Sequence, residues 1–334
     1  MHRLQDSGRD SGKANRLNRT KLSLPANPTF PKDSKQPSYR GRFAPSPTGP
    51  LHLGSLYTAL ASYLEARSRD GLWRVRIDDI DTPRTVSGAA DEILSTLEHF
   101  GLHWDGEIVF QSRNLEPYRQ AVKILQDKGL LYPCDCSRKR LGEIFSNHAE
   151  PIYPGFCRNG RVPPKPPYAL RLRTDNRQVA LVDTLHGLFK QDFAKEVGDF
   201  IVLRRDGSYA YHLATVVDDA LTGVTDILRG ADLLPSTPRQ ILLQELLDLP
   251  TPRYLHIPVI VDHTGAKLSK QTGATAVPRD KPGWVLFQLL QLLQQSPPKE
   301  LMTAPAAEIL SWAIDAWDIN RIRSARQHTI ELQF

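Results

Sequence analysis

The chain has 334 residues, which is enough for one large domain or two moderate ones. Its composition, with 40% hydrophobic, 24% charged and 8% aromatic residues, is that of an ordinary soluble globular protein. No apolar run approaches the ~20 residues that a membrane helix requires, and no stretch is typical of a secretory signal. We therefore expect a soluble protein without a membrane partner.

The net charge of +6 is concentrated near the N-terminus. Residues 1–38 contain eight Lys or Arg and three Asp, a local balance of +5, which leaves about +1 for the rest. This segment is poor in apolar and aromatic residues, so burial cannot offset the entropy lost on ordering. We predict a disordered basic tail at 1–38, with a transit peptide as the alternative. The nearly neutral body gives only weak support for RNA binding from charge alone.

The predicted elements after residue 38 alternate between strands and helices. Residues 39–44 read as a strand that Pro45 ends. Leucines that recur every three or four positions predict an amphipathic helix at 53–69, and alternation predicts a strand at 72–77. A second helix is expected at 88–100. This alternation is typical of an α/β fold with a Rossmann-like parallel sheet covered by helices.

The rest of the chain has more varied patterns. We predict helices at 116–128, 237–247, 284–294 and 307–317, and strands at 168–173, 200–204 and 254–261. Residues 131–167 are rich in Pro, Cys, Gly and Arg, so we expect an inserted loop region held by a metal, whereas 209–230 has a mixed pattern. The predicted organisation is a first half of the α/β domain at 39–110, an inserted subdomain at 111–200, a second half at 201–280 and a closing helical segment at 281–334.

The first motif joins the first strand to the first helix. It reads Arg-Phe-Ala-Pro-Ser-Pro-Thr-Gly at 42–49 and Leu-His-Leu-Gly at 51–54. The free amides and positive dipole end of a helix favour an anion, and His52 can donate to a phosphate oxygen. Gly54 leaves space for a ligand to approach. For the short His-Leu-Gly piece alone, a proline-rich turn before a core helix is the alternative.

The second motif is Gly-Ala-Lys-Leu-Ser-Lys-Gln at 265–271. Lys267 and Lys270 lie three positions apart beside Gly and Ser269, in a predicted flexible loop. Lysine suits a mobile polyphosphate clamp because its ammonium is a compact point charge. Taken alone, the string is equally compatible with an ordinary surface loop.

The third feature is a cluster of all three cysteines, Cys134, Cys136 and Cys157. An odd, clustered set does not suit a disulfide framework and points to a metal site in a reducing compartment, the cytoplasm. Thiolates suit zinc, and a structural zinc has four ligands, so Tyr153 or His148 could complete the set. Free buried thiols are the alternative to a metal.

The first two strings together resemble the ATP-binding signatures of class I aminoacyl-tRNA synthetases in their glutamyl form. The resemblance covers about residues 39–280, with Ser55, Leu268 and Gln271 at positions where other members often carry His, Met and Ser. It implies that the carboxylate of an amino acid attacks the α-phosphorus of ATP, with magnesium expected beside the nucleotide. It implies catalytic roles for His52, Lys267 and Lys270, and ATP binding by Pro45, His52, Gly54, Ser55, Lys267, Ser269 and Lys270.

The resemblance also implies that the amino acid is glutamate. The implied glutamate-binding residues are Arg42, Phe43, Ala44, Pro45, Ser46, Asp78, Tyr211 and Arg229. Asp78 departs from the family, since a Glu is usual there. Short members of the family carry Cys-x-Cys and then Tyr-x-x-x-Cys, which matches Cys134, Cys136, Tyr153 and Cys157. The resemblance therefore implies a structural zinc that braces the region in contact with RNA.

Only 64 residues follow Lys270, fewer than a typical domain of about 100–150 residues. We therefore expect no anticodon-binding domain, as in the short members, which attach glutamate to queuosine in the anticodon of tRNA(Asp). The implied partners are tRNA(Asp), glutamate and ATP, and we expect a monomer. The alternatives are charging of the tRNA 3′ end, a small-molecule acceptor, or a non-catalytic RNA-binding module, against which His52 and both lysines argue.

Overall fold

The structure is a computed structural model that describes residues 39–137, 141–142, 152–160, 166–261, 277–325 and 327–329. The predicted tail at 1–38 and the lysine motif at 265–271 lie outside the described residues. Among the helices that the structure describes, none has the length and apolar character needed to cross a membrane.

The described chain alternates between strands and helices over most of its length. The strands are β1 (Arg40–Phe43), β2 (Leu72–Ile77), β3 (Val109–Phe110), β4 (Leu131–Cys134), β5 (Ala169–Leu172), β6 (Gln178–Asp183), β7 (Gly187–Asp192), β8 (Phe200–Leu203), β9 (Asp226–Gly230), β10 (Arg253–Ile257), β11 (Val259–Val261) and β12 (Gln327–Thr329). The α-helices are α1 (Leu53–Arg67), α2 (Ala89–His99), α3 (Glu116–Asp127), α4 (Tyr211–Leu221), α5 (Thr237–Leu247), α6 (Pro282–Leu292) and α7 (Ala306–Ala316).

The centre of the fold is a parallel sheet. Strands β1, β2 and β3 pair in that order, and β9 pairs with β10, all in parallel. The two groups meet at β1, because the Thr225 backbone N–H donates to the carbonyl of Arg40 at 3.0 Å. The Arg40 N–H returns a bond to the Thr225 hydroxyl at 2.8 Å. The resulting order is β3-β2-β1-β9-β10, and the predicted α/β fold with a parallel sheet is confirmed.

Helix α1 is buried on almost every side, since leucine and alanine dominate its sequence and leave no polar face. It connects β1 to β2 and contacts both strands as well as α7. Trp73 of β2 is fully buried against it and donates its indole N–H to the hydroxyl of Ser62 at 2.9 Å. Strands β1 and β2 and helices α1, α6 and α7 thus share one hydrophobic core, which fixes the N-terminus of α1 against the sheet.

The chain between β3 and β9 forms a second body of structure, in which β4, β5 and β8 make an antiparallel sheet and β6 and β7 a hairpin. The structure corrects the sequence analysis at three places, two in this region and one after β9. The loop predicted over 131–167 begins with a true strand, β4, despite Pro133. The β6–β7 hairpin was not predicted at all. The single strand expected at 254–261 is two strands, β10 and β11, because Pro258 lies between them and cannot donate to a ladder.

Candidate active site and thiol cluster

A cleft of about 500 Å³ opens where β1, β9 and the N-terminus of α1 meet. The order of the sheet reverses between β1 and β9, and ligands of open α/β sheets bind beyond the carboxyl ends of the strands at such a point. His52 caps α1: its Nδ1 accepts from the Ser55 backbone N–H at 3.2 Å, and its Nε2 lies 2.9 Å from the Ser55 hydroxyl. Gly54 and Ser55 of this first turn line the cleft, and the positive end of a helix dipole suits an anion.

Most of the residues predicted to bind ligands line this cleft. They are Arg42, Phe43, Ala44, Pro45, Ser46, His52, Gly54, Ser55, Tyr211 and Arg229. Asp78 is not among the lining residues, and Lys267, Ser269 and Lys270 lie outside the described part of the chain. The signature loop is tied down by its backbone, since the Asp78 N–H donates to the carbonyl of Pro45 at 3.0 Å.

Arg229 places a positive charge in the wall of the cleft. It lies at the carboxyl end of β9, only 4% exposed. Its Nε donates to Nε2 of His256 at 3.1 Å, and one Nη1 hydrogen reaches the hydroxyl of Tyr211 at the long distance of 3.5 Å. Its Nη2 donates to Thr237 Oγ1 at 2.8 Å and to Gln240 Oε1 at 2.7 Å.

All four of these partners are uncharged acceptors, and no carboxylate among the described residues forms an ion pair with Arg229. A buried cation without a counter-ion is costly, so such a charge is normally paired. The edge that carries Nη1 lies beside Tyr211, which lines the cleft. Arg229 therefore suits an anionic group of a ligand.

Arg42 is held differently, in a buried ion-pair network. Its Nε lies 3.1 Å from Oδ1 of Asp219, and the same oxygen lies 2.6 Å from Nη1 of Arg76. Arg76 also contacts Oδ1 of Asp78 at 2.6 Å. Burial raises the pKa of Asp78, and Arg76 only partly offsets this. For Asp219 burial acts in the same direction, but the charges of Arg42 and Arg76 outweigh it and lower its pKa.

Asp218 extends this network away from the cleft. It accepts from the hydroxyl of Tyr118 and from the side-chain amide of Gln111, each at 2.7 Å. Arg76 Nε is 3.8 Å from its second oxygen. Burial raises the pKa of Asp218 to about 6, although the Arg76 charge and both hydrogen bonds act to lower it.

The three thiols form a second candidate site. The sulfur atoms of Cys134, Cys136 and Cys157 all lie within 4.8 Å of one another, and the Cys136–Cys157 separation is 3.6 Å. Ligands 2.3 Å from a tetrahedral zinc lie about 3.7 Å apart, so this spacing suits a metal ion. The Tyr153 hydroxyl lies 3.4 Å from Cys134 Sγ and 3.6 Å from Cys136 Sγ. The cluster could therefore hold a metal with Tyr153 beside it, while His148 lies outside the described residues.

The backbone around Tyr153 is fixed by Gly198. The two residues form an isolated β-bridge, and a side chain on Gly198 would come within 3.1 Å of the backbone of Tyr153. Arg171 lies over the ring of Tyr153 and donates to Cys134 Sγ at 3.2 Å. Burial opposes ionisation of Cys134, but the hydrogen bond that it shares with Tyr153 and the one that Arg171 donates lower the pKa of its thiol. The thiols are thus held together by contacts from three separate segments of chain.

Several residues that shape the cleft were not predicted from the sequence. Asp219, Thr237, Gln240 and His256 stand in no recognisable motif, so no local signal could have identified them. Arg76 lies two positions before the predicted Asp78, and this closeness was the one available clue. Asp219 and Arg76 are joined over 143 positions of sequence, whereas Thr237 and Gln240 lie only 8 and 11 positions from Arg229.

Three comparisons identify the family. Residues 38–284 match the family described as tRNA synthetases class I (E and Q), catalytic domain. A glutamyl-Q tRNA(Asp) synthetase of Aromatoleum aromaticum is 51% identical over 86% of this chain and 91% of the relative. One of Methylococcus capsulatus is 52% identical over 88% of this chain and 97% of the relative.

Solved structures give the same result. A glutamate-tRNA synthetase of Elizabethkingia anophelis superposes with a TM-score of 0.74 at 26% identity, over 88% of this chain and 68% of that one. A glutamate tRNA ligase of Elizabethkingia meningosepticum, in complex with its amino acid, gives 0.72 at 26% identity, over 86% and 66%. This chain thus spans about two thirds of the length of those enzymes. It belongs to the class I tRNA synthetases of the glutamate and glutamine group, and within them to the glutamyl-Q tRNA(Asp) synthetases.

Proposed function

We propose that the protein uses ATP to activate glutamate and transfers the glutamyl group to queuosine in the anticodon of tRNA(Asp). The observation that carries the first half is Arg229, a buried cation in the cleft that has no acidic partner among the described residues. Glutamate offers a side-chain carboxylate that would neutralise it. Relatives that match most of this chain at about half identity support the second half.

The first step brings two anions together, the reacting carboxylate of glutamate and the triphosphate of ATP. A carboxylate oxygen of glutamate attacks the α-phosphorus of ATP, the bond to the β-phosphate oxygen breaks, and pyrophosphate leaves. We propose that the N-terminus of α1 and His52 face the phosphates, and that Lys267 and Lys270 of the second motif join them. Such groups act by positioning and by neutralising charge on the phosphoryl oxygens, so no protein nucleophile is required. Magnesium would add positive charge to the polyphosphate.

The proposed glutamate site comprises Arg229, Tyr211 and the strand end from Arg42 to Ser46. Asp78 is part of the proposal as a group for the α-ammonium, although its carboxylate pairs with Arg76 and does not line the cleft. The charge of an ammonium group would have to compete with that guanidinium. In the second step a queuosine hydroxyl attacks the acyl carbon, and AMP leaves.

We further propose that zinc is bound by Cys134, Cys136, Cys157 and Tyr153. The supporting observation is the short spacing of the four side chains. The metal would have a structural role in an inserted subdomain at 111–200 that contacts the RNA, between catalytic halves at 39–110 and 201–280. Three free thiols also favour a reducing compartment, the cytoplasm.

Glutamate-dependent exchange of pyrophosphate into ATP tests the activation step. The unmodified protein should catalyse exchange with glutamate and not with glutamine or aspartate. Lys270→Ala should lower the rate by about 100-fold or more if the motif neutralises transition-state charge. Lys123→Ala, on the exposed face of α3, is the matched control and should leave the rate unchanged. Full exchange by Lys270→Ala would contradict the role of the motif, and no exchange by the unmodified protein would contradict the function.

A further inference from the structure

Arg229 is oriented by a chain of two buried side chains that no sequence motif contains. His256 of β10 accepts the Nε–H of Arg229 on its Nε2 at 3.1 Å. Its other nitrogen, Nδ1, lies 2.7 Å from Oδ2 of Asp183. The exposed fractions are 0% for His256 and 1% for Asp183, so water cannot replace either contact.

The partners define the protonation state of the imidazole. Nδ1 faces a carboxylate and therefore carries the hydrogen, which leaves Nε2 as the acceptor that Arg229 needs. Burial lowers the pKa of His256 to about 4, against the pull of Asp183, so the ring is neutral at pH 7. For Asp183 burial is outweighed by hydrogen bonds from His256 and from the backbone of His186 and Leu185, which lower its pKa. The hydrogen-bonded series thus runs from the Asp183 carboxylate through the neutral His256 ring to the Arg229 guanidinium.

Asp183 is itself rigidly held at the end of the β6–β7 hairpin. Besides the imidazole, it accepts from the backbone N–H of His256 at 3.0 Å, Leu185 at 3.0 Å and His186 at 2.9 Å. With four donors on one carboxylate, neither Asp183 nor the ring it contacts can rotate freely. The hairpin belongs to the proposed insert. Through Asp183 and His256 it is connected to Arg229 in the wall of the cleft.

The remaining Arg229 contacts show what this orientation achieves. Thr237 and Gln240 occupy both hydrogens of Nη2, and His256 occupies Nε. Only the Nη1 edge, beside Tyr211, keeps a donor without a close partner among the described residues. A guanidinium turned about its Cζ–Nε axis or shifted along it would lose these three bonds and would no longer hold the Nη1 donor in this place.

We propose that Asp183 and His256 are positioning residues for glutamate selection: they hold Arg229 so that its Nη1 edge faces the carboxylate of the substrate. The inference rests on the proposed function, because it takes glutamate as the ligand of the cleft. Neither residue touches the substrate. Their contribution is the preorganisation of a charged donor before glutamate binds.

The test is pyrophosphate exchange with glutamate and ATP varied separately, for the unmodified protein, His256→Gln, His256→Leu and Asp183→Asn. Loss of one hydrogen bond to a charged group should raise the KM for glutamate about 10- to 100-fold in His256→Leu. The KM for ATP should stay within about twofold, since the phosphate groups lie elsewhere in the cleft. Glutamine can present an acceptor oxygen near the Nε2 position, so His256→Gln should recover most of the loss.

Asp183→Asn keeps the size and the imidazole, and it covers the case in which His256→Leu does not fold. It should raise the glutamate KM by an intermediate factor, because the ring then loses its fixed tautomer. The control is His99→Gln, a histidine on α2 whose ring nitrogen lies beside the exposed backbone carbonyl of Arg279. A merely structural role would lower kcat at unchanged KM, or would change both KM values equally, and either result would overturn the proposal. If the unmodified protein catalyses exchange and the variants keep its KM for glutamate, the inference alone is wrong. If the unmodified protein catalyses no exchange, the proposed function is wrong as well.

Discussion

Asp219 and Arg42 form a buried ion pair across 177 positions of sequence, with Nε and Oδ1 3.1 Å apart. The pair joins helix α4 to strand β1 directly below the cleft. Arg76 shares the same carboxylate and also pairs with Asp78, so the two buried guanidinium groups are compensated within one network. The position of the signature strand therefore depends on a residue in the second half of the chain.

Asp219→Asn should destabilise the fold strongly, because Arg42 loses the carboxylate that it pairs with among the described residues and Arg76 loses one of its acidic partners. Removal of one member of a buried pair costs about 3–5 kcal/mol of the free energy of unfolding. Urea unfolding at pH 7 measures it. The matched control is Asp127→Asn, which removes an exposed partner of Lys123 and should cost less than about 1 kcal/mol. Equal small effects from the two variants would show that the buried pair contributes little.

Asp218 predicts a pH dependence of stability. Burial raises its pKa from 3.8 to about 6, so between these values the folded state keeps a proton that the unfolded state has lost. The contribution of Asp218 to the free energy of unfolding should therefore fall as pH rises through this window, by about 3 kcal/mol, and level off above pH 6.

Asp218→Asn tests this dependence, since asparagine does not titrate. The stability of the variant relative to the unmodified protein should increase between pH 4 and pH 6. Urea unfolding at several pH values gives the difference. A difference that stays constant across the window would mean that Asp218 titrates with an ordinary pKa.

Glutamate should stabilise the protein against heat, and glutamine should not. The side-chain carboxylate of glutamate would neutralise Arg229, whereas the side-chain amide of glutamine carries no charge. At 100 times the dissociation constant, a ligand adds about 2.7 kcal/mol to the free energy of unfolding. Thermal unfolding with each amino acid measures the shift in Tm, and Arg229→Met should abolish the response to glutamate. Equal shifts with both amino acids would remove the argument from charge.

The thiol cluster predicts a bound metal. Protein purified without chelator should contain about one zinc per chain, and Cys136→Ser should contain much less, since structural sites require all four ligands. Elemental analysis and thermal unfolding with and without chelator measure both effects. Tyr153→Phe keeps the ring against Arg171 and removes only the hydroxyl. Zinc content unaffected in this variant would mean that the phenol is not a ligand.

The elements that the sequence predicted well are those with a clear local pattern. The helix expected at 237–247 is α5 over the same residues, and the strand at 72–77 is β2. By contrast, 209–230 had a mixed pattern because it holds two different elements, α4 and β9, and β9 is buried throughout, so that strand shows no alternation. The alternation of β6 was present in the sequence and was overlooked.

The candidate site divides in the same way. The signature at 42–55 and the arginine at 229 could be identified because these positions resemble the motifs of the glutamyl class I synthetases. The partners that orient those side chains could not, because the contacts of Asp219 with Arg42 and of Asp183 with His256 span 177 and 73 positions. Pairings of this kind depend on the tertiary fold and leave no period or spacing in the chain.

The central claim is tested most directly by the transfer of labelled glutamate to purified tRNA(Asp) that contains or lacks queuosine, with ATP present. The account predicts label only on the RNA that contains queuosine, and this label should survive removal of the 3′ end by periodate treatment. Label on the 3′ end, or equal label on both RNAs, would contradict the proposed acceptor.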